Sequence, residues 1–183
     1  MENNPVNTGP KGGELSNGDL VRALVLVQYS DPLGHLLSNL AETPFTLDGV
    51  KLNSVEALIQ GCKFHFVDPR RESVFTLSGL PSKRAGKEVS EEFARRFVRG
   101  EVPNVYWDGK EIPFGAMEHR ELIRRAIMEK FLQNLEAQNA LKLTGNALLI
   151  HPIPDAPYTS LKAAEFVGIL SAIREELLAS SAR

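Results

Sequence analysis

Between Ser54 and Phe66, apolar Val55, Ala57, Leu58, Ile59, Cys62 and Phe66 surround three polar side chains, Glu56, Gln60 and Lys63. The polar three recur at intervals of four and three, and residues so spaced share one face of a helix. The pattern predicts an apolar helix carrying a polar stripe. Ser54 is placed to cap it, because its hydroxyl can accept a backbone N–H of the first turn. The helix is expected to stop before Asp68-Pro69, since a residue ahead of proline is pushed out of helical geometry.

Other stretches give further elements. Leu20 to Tyr29 is apolar and β-branched enough for a strand, although a buried helix has the same periodicity. Phe45–Leu47 and Val50–Leu52 flank Asp48-Gly49, the strongest short hairpin signal in the chain. Arg70 to Leu80 is ambiguous. A helix is expected from Ser90 to Arg99, capped by Ser90, with Phe93, Phe97 and Val98 inward and Gly100 ending it. Val102 to Gly115 carries Pro103, Gly109, Pro113 and Gly115 and reads as a loop holding Trp107. From Met117 to Leu143 the spacing is helical, with Ile123, Ile127, Phe131 and Leu135 near one face and a break placed at Asn139. Leu148–Ile150 reads as a short strand, His151 to Thr159 as irregular, and Ser160 as the cap of a terminal helix. Val167, Leu170, Ile173 and Leu177 form that helix's apolar stripe. The fold class is mainly α (α+β): one domain over residues 19–180, with a small N-terminal β-hairpin, behind a disordered tail over residues 1–18.

Composition narrows the function classes. A chain of 183 residues, 43% hydrophobic, suits one domain with a core of its own. A net charge of -2 gives no global basic surface for nucleic acid. The single Cys62 excludes an internal disulfide and a cysteine-based zinc site, and the four histidines show no metal-ligand spacing. No phosphate-cradling glycine motif occurs, so neither metal nor cofactor is expected. No apolar run approaches the roughly 20 residues of a membrane span, and no signal peptide is recognisable. A cytoplasmic protein without a membrane partner is the expectation.

The polar stripe has two readings, a solvated face or one that meets other polar groups inside the fold, since burying an unpaired charge is costly. The neighbouring residues bear on the choice. Leu37-Ser38-Asn39-Leu40, then Asp48-Gly49, then Ser54-Val55-Glu56 through Gln60, Lys63 and Phe64 follow in order. Further on come Ala85-Gly86-Lys87, Trp107, Ala126 to Asn134, Thr144-Gly145, Pro152 to Asp155, and Gly168 to Leu177. In serial order this resembles the YbiA-like family, also called NADAR (NAD- and ADP-ribose-associated) domains. The chain departs from the family pattern at Ala57-Leu58, where His-Tyr is usual, and at Gly61-Cys62. His151 stands for a glutamate, and Tyr158-Thr159 for Trp-Gly, without the glycine-rich loop that follows it in the family.

The resemblance implies a YbiA-like fold and an N-glycosidase that cleaves the bond between ribose and a base. Its substrates would be a riboflavin-precursor type of molecule or ADP-ribose attached to a base. A non-catalytic ADP-ribose or nucleotide-binding module of the same fold is the alternative. An ADP-ribosylated base within nucleic acid also fits, although the sequence carries no strong nucleic-acid signature. Such cleavage develops positive charge on the sugar, which a carboxylate can stabilise, while an amine can instead attack the anomeric carbon and form a Schiff base. By resemblance, Glu56 is the acid/base or charge stabiliser, Lys63 the nucleophile or orienting cation, and Asp155 the third catalytic group. Asn39, Gln60, Gly86, Lys87, Trp107 and Tyr158 would bind ligand. Seven residues of helix separate Glu56 from Lys63, about 10.5 Å of rise, so the two are expected to flank a ligand rather than bond. The plainer readings are an Asx-turn for Asp155, a core plug for Trp107, and a solvated cluster for Lys83, Arg84 and Lys87.

Overall fold

Leu122, Ile123, Ala126, Ile127 and Phe131 are buried along one side of helix α5, Met117–Gln133, and the rest of the molecule assembles on that side. The computed structural model describes residues 24–155 and 158–181, so the expected tail lies outside the described residues. Before α5 come β1 (Leu24–Leu26), β2 (Phe45–Leu47), β3 (Val50–Leu52), α1 (Val55–Gly61), α2 (Arg70–Phe75), α3 (Gly79–Ala85), α4 (Lys87–Val98), β4 (Asn104–Trp107) and β5 (Lys110–Pro113). After it come α6 (Leu135–Leu143), β6 (Leu148–Ile150) and α7 (Ala163–Ser181). α1, β2, α6 and α7 all pack on α5. Among the described residues helices dominate and the strands form three two-stranded sheets, a mixed α+β architecture with an early β-hairpin. No helix among the described residues is long and apolar enough to cross a membrane.

Two of the sheets are hairpins built alike. Asp48 and Gly49 join β2 to β3 with φ of 49° and 81°; Asp108 and Gly109 join β4 to β5 with φ of 48° and 72°. Positive φ at both central residues gives the turn whose twist matches that of paired strands. The segment expected to be a loop around Trp107 is therefore a hairpin. Pro103 lies just outside it and Pro113 ends β5, positions where a missing N–H costs no central ladder bond. The third sheet pairs β1 with β6 in parallel, Leu24 opposite Leu148 and Leu26 opposite Ile150. Val27 extends the pairing by donating to Ile150 O at 2.7 Å. That pairing sets the chain after β1 beside the chain after β6.

The Glu56 helix is shorter than its apolar pattern suggested. It begins at the Ser54 cap, whose Oγ accepts from Ala57 N at 3.0 Å, but ends at Gly61. Buried Arg71 explains the stop: its guanidinium donates to Gly61 O at 3.3 Å, Phe64 O at 2.9 Å and Tyr106 O at 2.8 Å. A cation suits the carbonyl end of a helix, and three carbonyls replace its water. Arg71 also lies over the Phe75 ring, 4.9 Å from its centre. α4 starts at Lys87 rather than at Ser90, and Val98 is exposed rather than inward. The break in the long helical stretch falls at Asn134 (φ −123°, ψ 105°) instead of Asn139. There Asn134 Nδ2 donates to Pro44 O at 2.8 Å, tying the break to the entry of β2, and Leu135 turns outward. At the head of α7, Ala163 N–H donates to Asp155 Oδ1 at 2.8 Å, so Asp155 rather than Ser160 supplies the acceptor.

Candidate functional site

The polar stripe opens onto a cavity of about 580 Å³. Its floor is the cavity face of α1 with Lys63 beyond it; the turn at Ser38–Leu40 and the chain after β1 form one wall. α3, Ser90 and Phe114 form another, and His151, Ile153 and residues between Tyr158 and Phe166 close the third side. A volume of this size suits a drug- or nucleotide-sized ligand.

Glu56 and Lys63 are joined by a bridge. Gln60 Nε2 donates to Glu56 Oε1 at 2.8 Å, and Lys63 Nζ donates to Gln60 Oε1 at 2.8 Å. The amide can point only one way: its NH₂ end must face the carboxylate, which accepts, and its oxygen must face the amine, which donates. Both ends of Gln60 are thereby occupied, so it is a linker between the expected catalytic pair. Lys63 Nζ also donates to Ser90 Oγ at 2.8 Å, and Ser90 Oγ donates to Gly86 O at 2.7 Å. Lys63 lies past the end of α1 and is only 8% exposed. Burial lowers its pKa from the ordinary lysine value, with the nearby Cys62 and Glu56 opposing that shift. Glu56 is half-buried, and its backbone N–H donates to Asn39 O at 2.8 Å.

Gly86 lies behind Gln60. A Cβ there would lie 1.9 Å from Gln60 Oε1, so only glycine lets the α3–α4 junction rest on the bridge. Asn39 lines the cavity, and among the described residues its buried Oδ1 finds no hydrogen-bond partner. Next to it, fully buried Lys130 donates to Ser38 O at 2.7 Å. Burial pushes the Lys130 amine down to about 7. Behind Phe114, buried His119 accepts the Gly115 N–H on Nδ1 at 2.9 Å, which puts its proton on Nε2. Burial, then the charges of Lys63 and Arg120, hold His119 down at about 4. His151 lines the cavity with Nδ1 donating to Val27 O at 2.8 Å, and Tyr158 stacks flat on Phe97, ring centres 4.4 Å apart.

Of the residues singled out in the sequence, the cavity brings together Asn39, Glu56, Gln60, Lys63 and Tyr158, with Lys83 at the rim. Four of the expected catalytic and binding residues are absent from the lining: Gly86, which lies behind Gln60, and three residues placed elsewhere. Trp107 is 3% exposed, donates Nε1–H to Asp48 Oδ2 at 2.8 Å and sits edge-on to Phe75, so it plugs the core. Asp155 faces solvent with one carboxylate oxygen on Ala163 N–H. Lys87 is exposed, 3.8 Å from Glu91 Oε1 across one helical turn. Ser90, Lys130 and His151 were not assigned to the site from sequence. Lys130 did leave a trace, because it falls on the face of Ile123, Ile127 and Phe131, where a lysine is out of place.

Comparison with known proteins agrees with this architecture. The family described as Bacteriophage protein GP30.3 matches residues 33–175. An uncharacterized 17.1 kDa protein from the Gp30-rIII intergenic region of Enterobacteria phage T4 is 34% identical over 146 residues, covering 77% of this chain and 90% of that protein. Among solved structures, the NMR structure of the E. coli protein YbiA superposes with a TM-score of 0.56 at 20% identity. The superposition covers 88% of this chain and 89% of that one. The resemblance to YbiA-like proteins thus holds at the level of fold.

Proposed function

Since this chain belongs to the Bacteriophage protein GP30.3 family and has the YbiA fold, we propose that it is a cytoplasmic N-glycosidase acting on a ribosylated base. The observation that carries this reading is the desolvated Lys63 amine, linked through Gln60 to Glu56 on the wall of a cavity large enough for a nucleotide.

Burial lowers the Lys63 pKa, which raises the share of neutral amine, the form that can act as a nucleophile. Its lone pair attacks C1 of the ribose. The C1–N bond to the base breaks, and the base leaves with that electron pair and takes up a proton from solvent. Glu56 stabilises the cation that develops at C1, and the attacking amine loses its proton to solvent. Protonation of the ring oxygen from solvent opens the sugar to an imine. Water then adds to the imine carbon, the C–N bond breaks, and free sugar and amine are released. Asn39 would contribute to the wall that holds the ligand, and Lys83 would meet a phosphate.

The test is direct. Purified protein is incubated with ADP-ribosylated guanosine, with NAD and with ribosylated pyrimidine precursors, and base release is followed. Turnover of one class supports the reading. Saturable binding without base release would leave a non-catalytic ADP-ribose-binding module instead.

A further inference from the structure

The hydrogen bonds around Lys63 are more restrictive than a nucleophile's burial alone requires. A neutral primary amine has two N–H donors and one lone pair. Lys63 Nζ has two protein partners, Gln60 Oε1 and Ser90 Oγ, each at 2.8 Å. Gln60 Oε1 can only accept, because the NH₂ end of the same amide is committed to Glu56. Ser90 has a single hydroxyl proton and two acceptors within reach, Gly86 O at 2.7 Å and Gln60 Oε1 at 3.4 Å. The shorter bond takes the proton, leaving the oxygen lone pairs of Ser90 for Lys63. Both partners therefore consume N–H groups, and the remaining tetrahedral direction on nitrogen is the lone pair. Lys63, Gln60 and Ser90 all line the cavity, and no other hydrogen-bond partner of Nζ among the described residues takes that third direction.

We propose that Ser90 is a positioning residue for Lys63: its hydroxyl, anchored on the Gly86 carbonyl, turns the amine so that its lone pair faces the ligand. This rests on the reading of Lys63 as a nucleophile toward a ribose carbon. Ser90 itself touches no reacting atom. Its place in the first turns of α4 is what delivers it, since the back-bond to the carbonyl four residues earlier is a rotamer that serine adopts readily in helices.

ADP-ribose with borohydride is the probe, because its free anomeric carbon opens to an aldehyde that an amine can trap. The maximal rate of adduct formation on the Lys63 peptide and the half-saturating ADP-ribose concentration are measured separately. Ser90→Ala is expected to lower the maximal rate roughly tenfold or more with half-saturation unchanged, as misorientation of a held nucleophile does. Ser90→Thr, which keeps the oxygen, should recover most of that rate. An unchanged maximal rate in Ser90→Ala overturns the proposal, as does a Ser90→Thr variant as slow as Ser90→Ala. Absence of any Lys63 adduct in the wild-type protein overturns the nucleophile reading as well. A wild-type adduct with an indifferent Ser90→Ala overturns the positioning role alone.

Discussion

Trp107 and Asp48, the last residue of β4 and the first turn residue of the β2–β3 hairpin, are joined by an indole N–H donated to a carboxylate oxygen at 2.8 Å. Arg125 of α5 donates to the other oxygen of Asp48, so one turn carboxylate pins both hairpins to the central helix. The indole hydrogen bond is the main cause that holds the Asp48 carboxyl below its usual pKa. Stability from this contact is thus present above the ordinary aspartate range and is lost as pH falls through the lowered value.

Trp107→Phe should therefore destabilise the protein by about 1–3 kcal/mol, the cost of a polar group losing its partner. It should leave ligand affinity unchanged, because Trp107 is absent from the cavity wall. Chemical denaturation and ligand titration of the same variant check both halves. Loss of affinity without loss of stability would return Trp107 to the ligand site.

Glu56→Gln isolates charge from shape. A glutamine oxygen can still accept the Gln60 Nε2–H, so the bridge to Lys63 survives while the negative charge disappears. Base release should fall by roughly two orders of magnitude or more, with melting temperature and ligand affinity close to wild type. Full turnover in this variant would remove Glu56 from the mechanism.

The α1 face was legible in the sequence because period and polarity agree there: Ser54 caps, Glu56 and Gln60 share a face, and the apolar remainder is buried. The spacing puts Lys63 on the helical stripe itself, whereas in the structure it lies beside the stripe, past the end of α1. The stop at Gly61 comes from Arg71, ten residues on, and no local pattern announces a guanidinium folding back onto carbonyls. The second hairpin failed for a different reason. Asp108-Gly109 carries the same turn signal as Asp48-Gly49, but Pro103 and Pro113 masked it, and prolines at the ends of short strands are compatible with pairing. Ser90 looked like a helix cap and is one residue of a buried network, because α4 begins earlier, at Lys87. The meeting of α4 with α1 is a long-range contact that only Gly86, with its missing side chain, hints at.

Gly86→Ala tests that contact. A methyl group 1.9 Å from Gln60 Oε1 and 2.8 Å from its Cβ forces the bridge or the α3–α4 junction to move. Overpacking of this kind costs about 1–3 kcal/mol. Slower trapping of aldehyde at Lys63 is expected alongside the loss of stability. A variant with wild-type stability and trapping rate would mean that the junction yields freely and Gln60 is not held from behind.

Lys130 offers a pH signature. Its amine is buried with one acceptor, Ser38 O, and titrates at about 7 rather than at the ordinary 10.5. The unfolded chain binds that proton up to the higher value while the folded protein releases it at the lower one. Folding therefore loses stability as pH drops from about 10.5 to about 7, and the penalty is constant below that. At one pKa unit per 1.36 kcal/mol the full penalty is on the order of 5 kcal/mol. Lys130→Met should remove the alkaline slope, so that unfolding free energy between pH 7 and 10 becomes flatter than in the wild type. It should also free the Ser38–Asn39 turn and weaken ligand binding through Asn39, since no side chain then holds the Ser38 carbonyl. An unchanged slope in denaturation curves across that range would show that Lys130 keeps its proton in the folded protein.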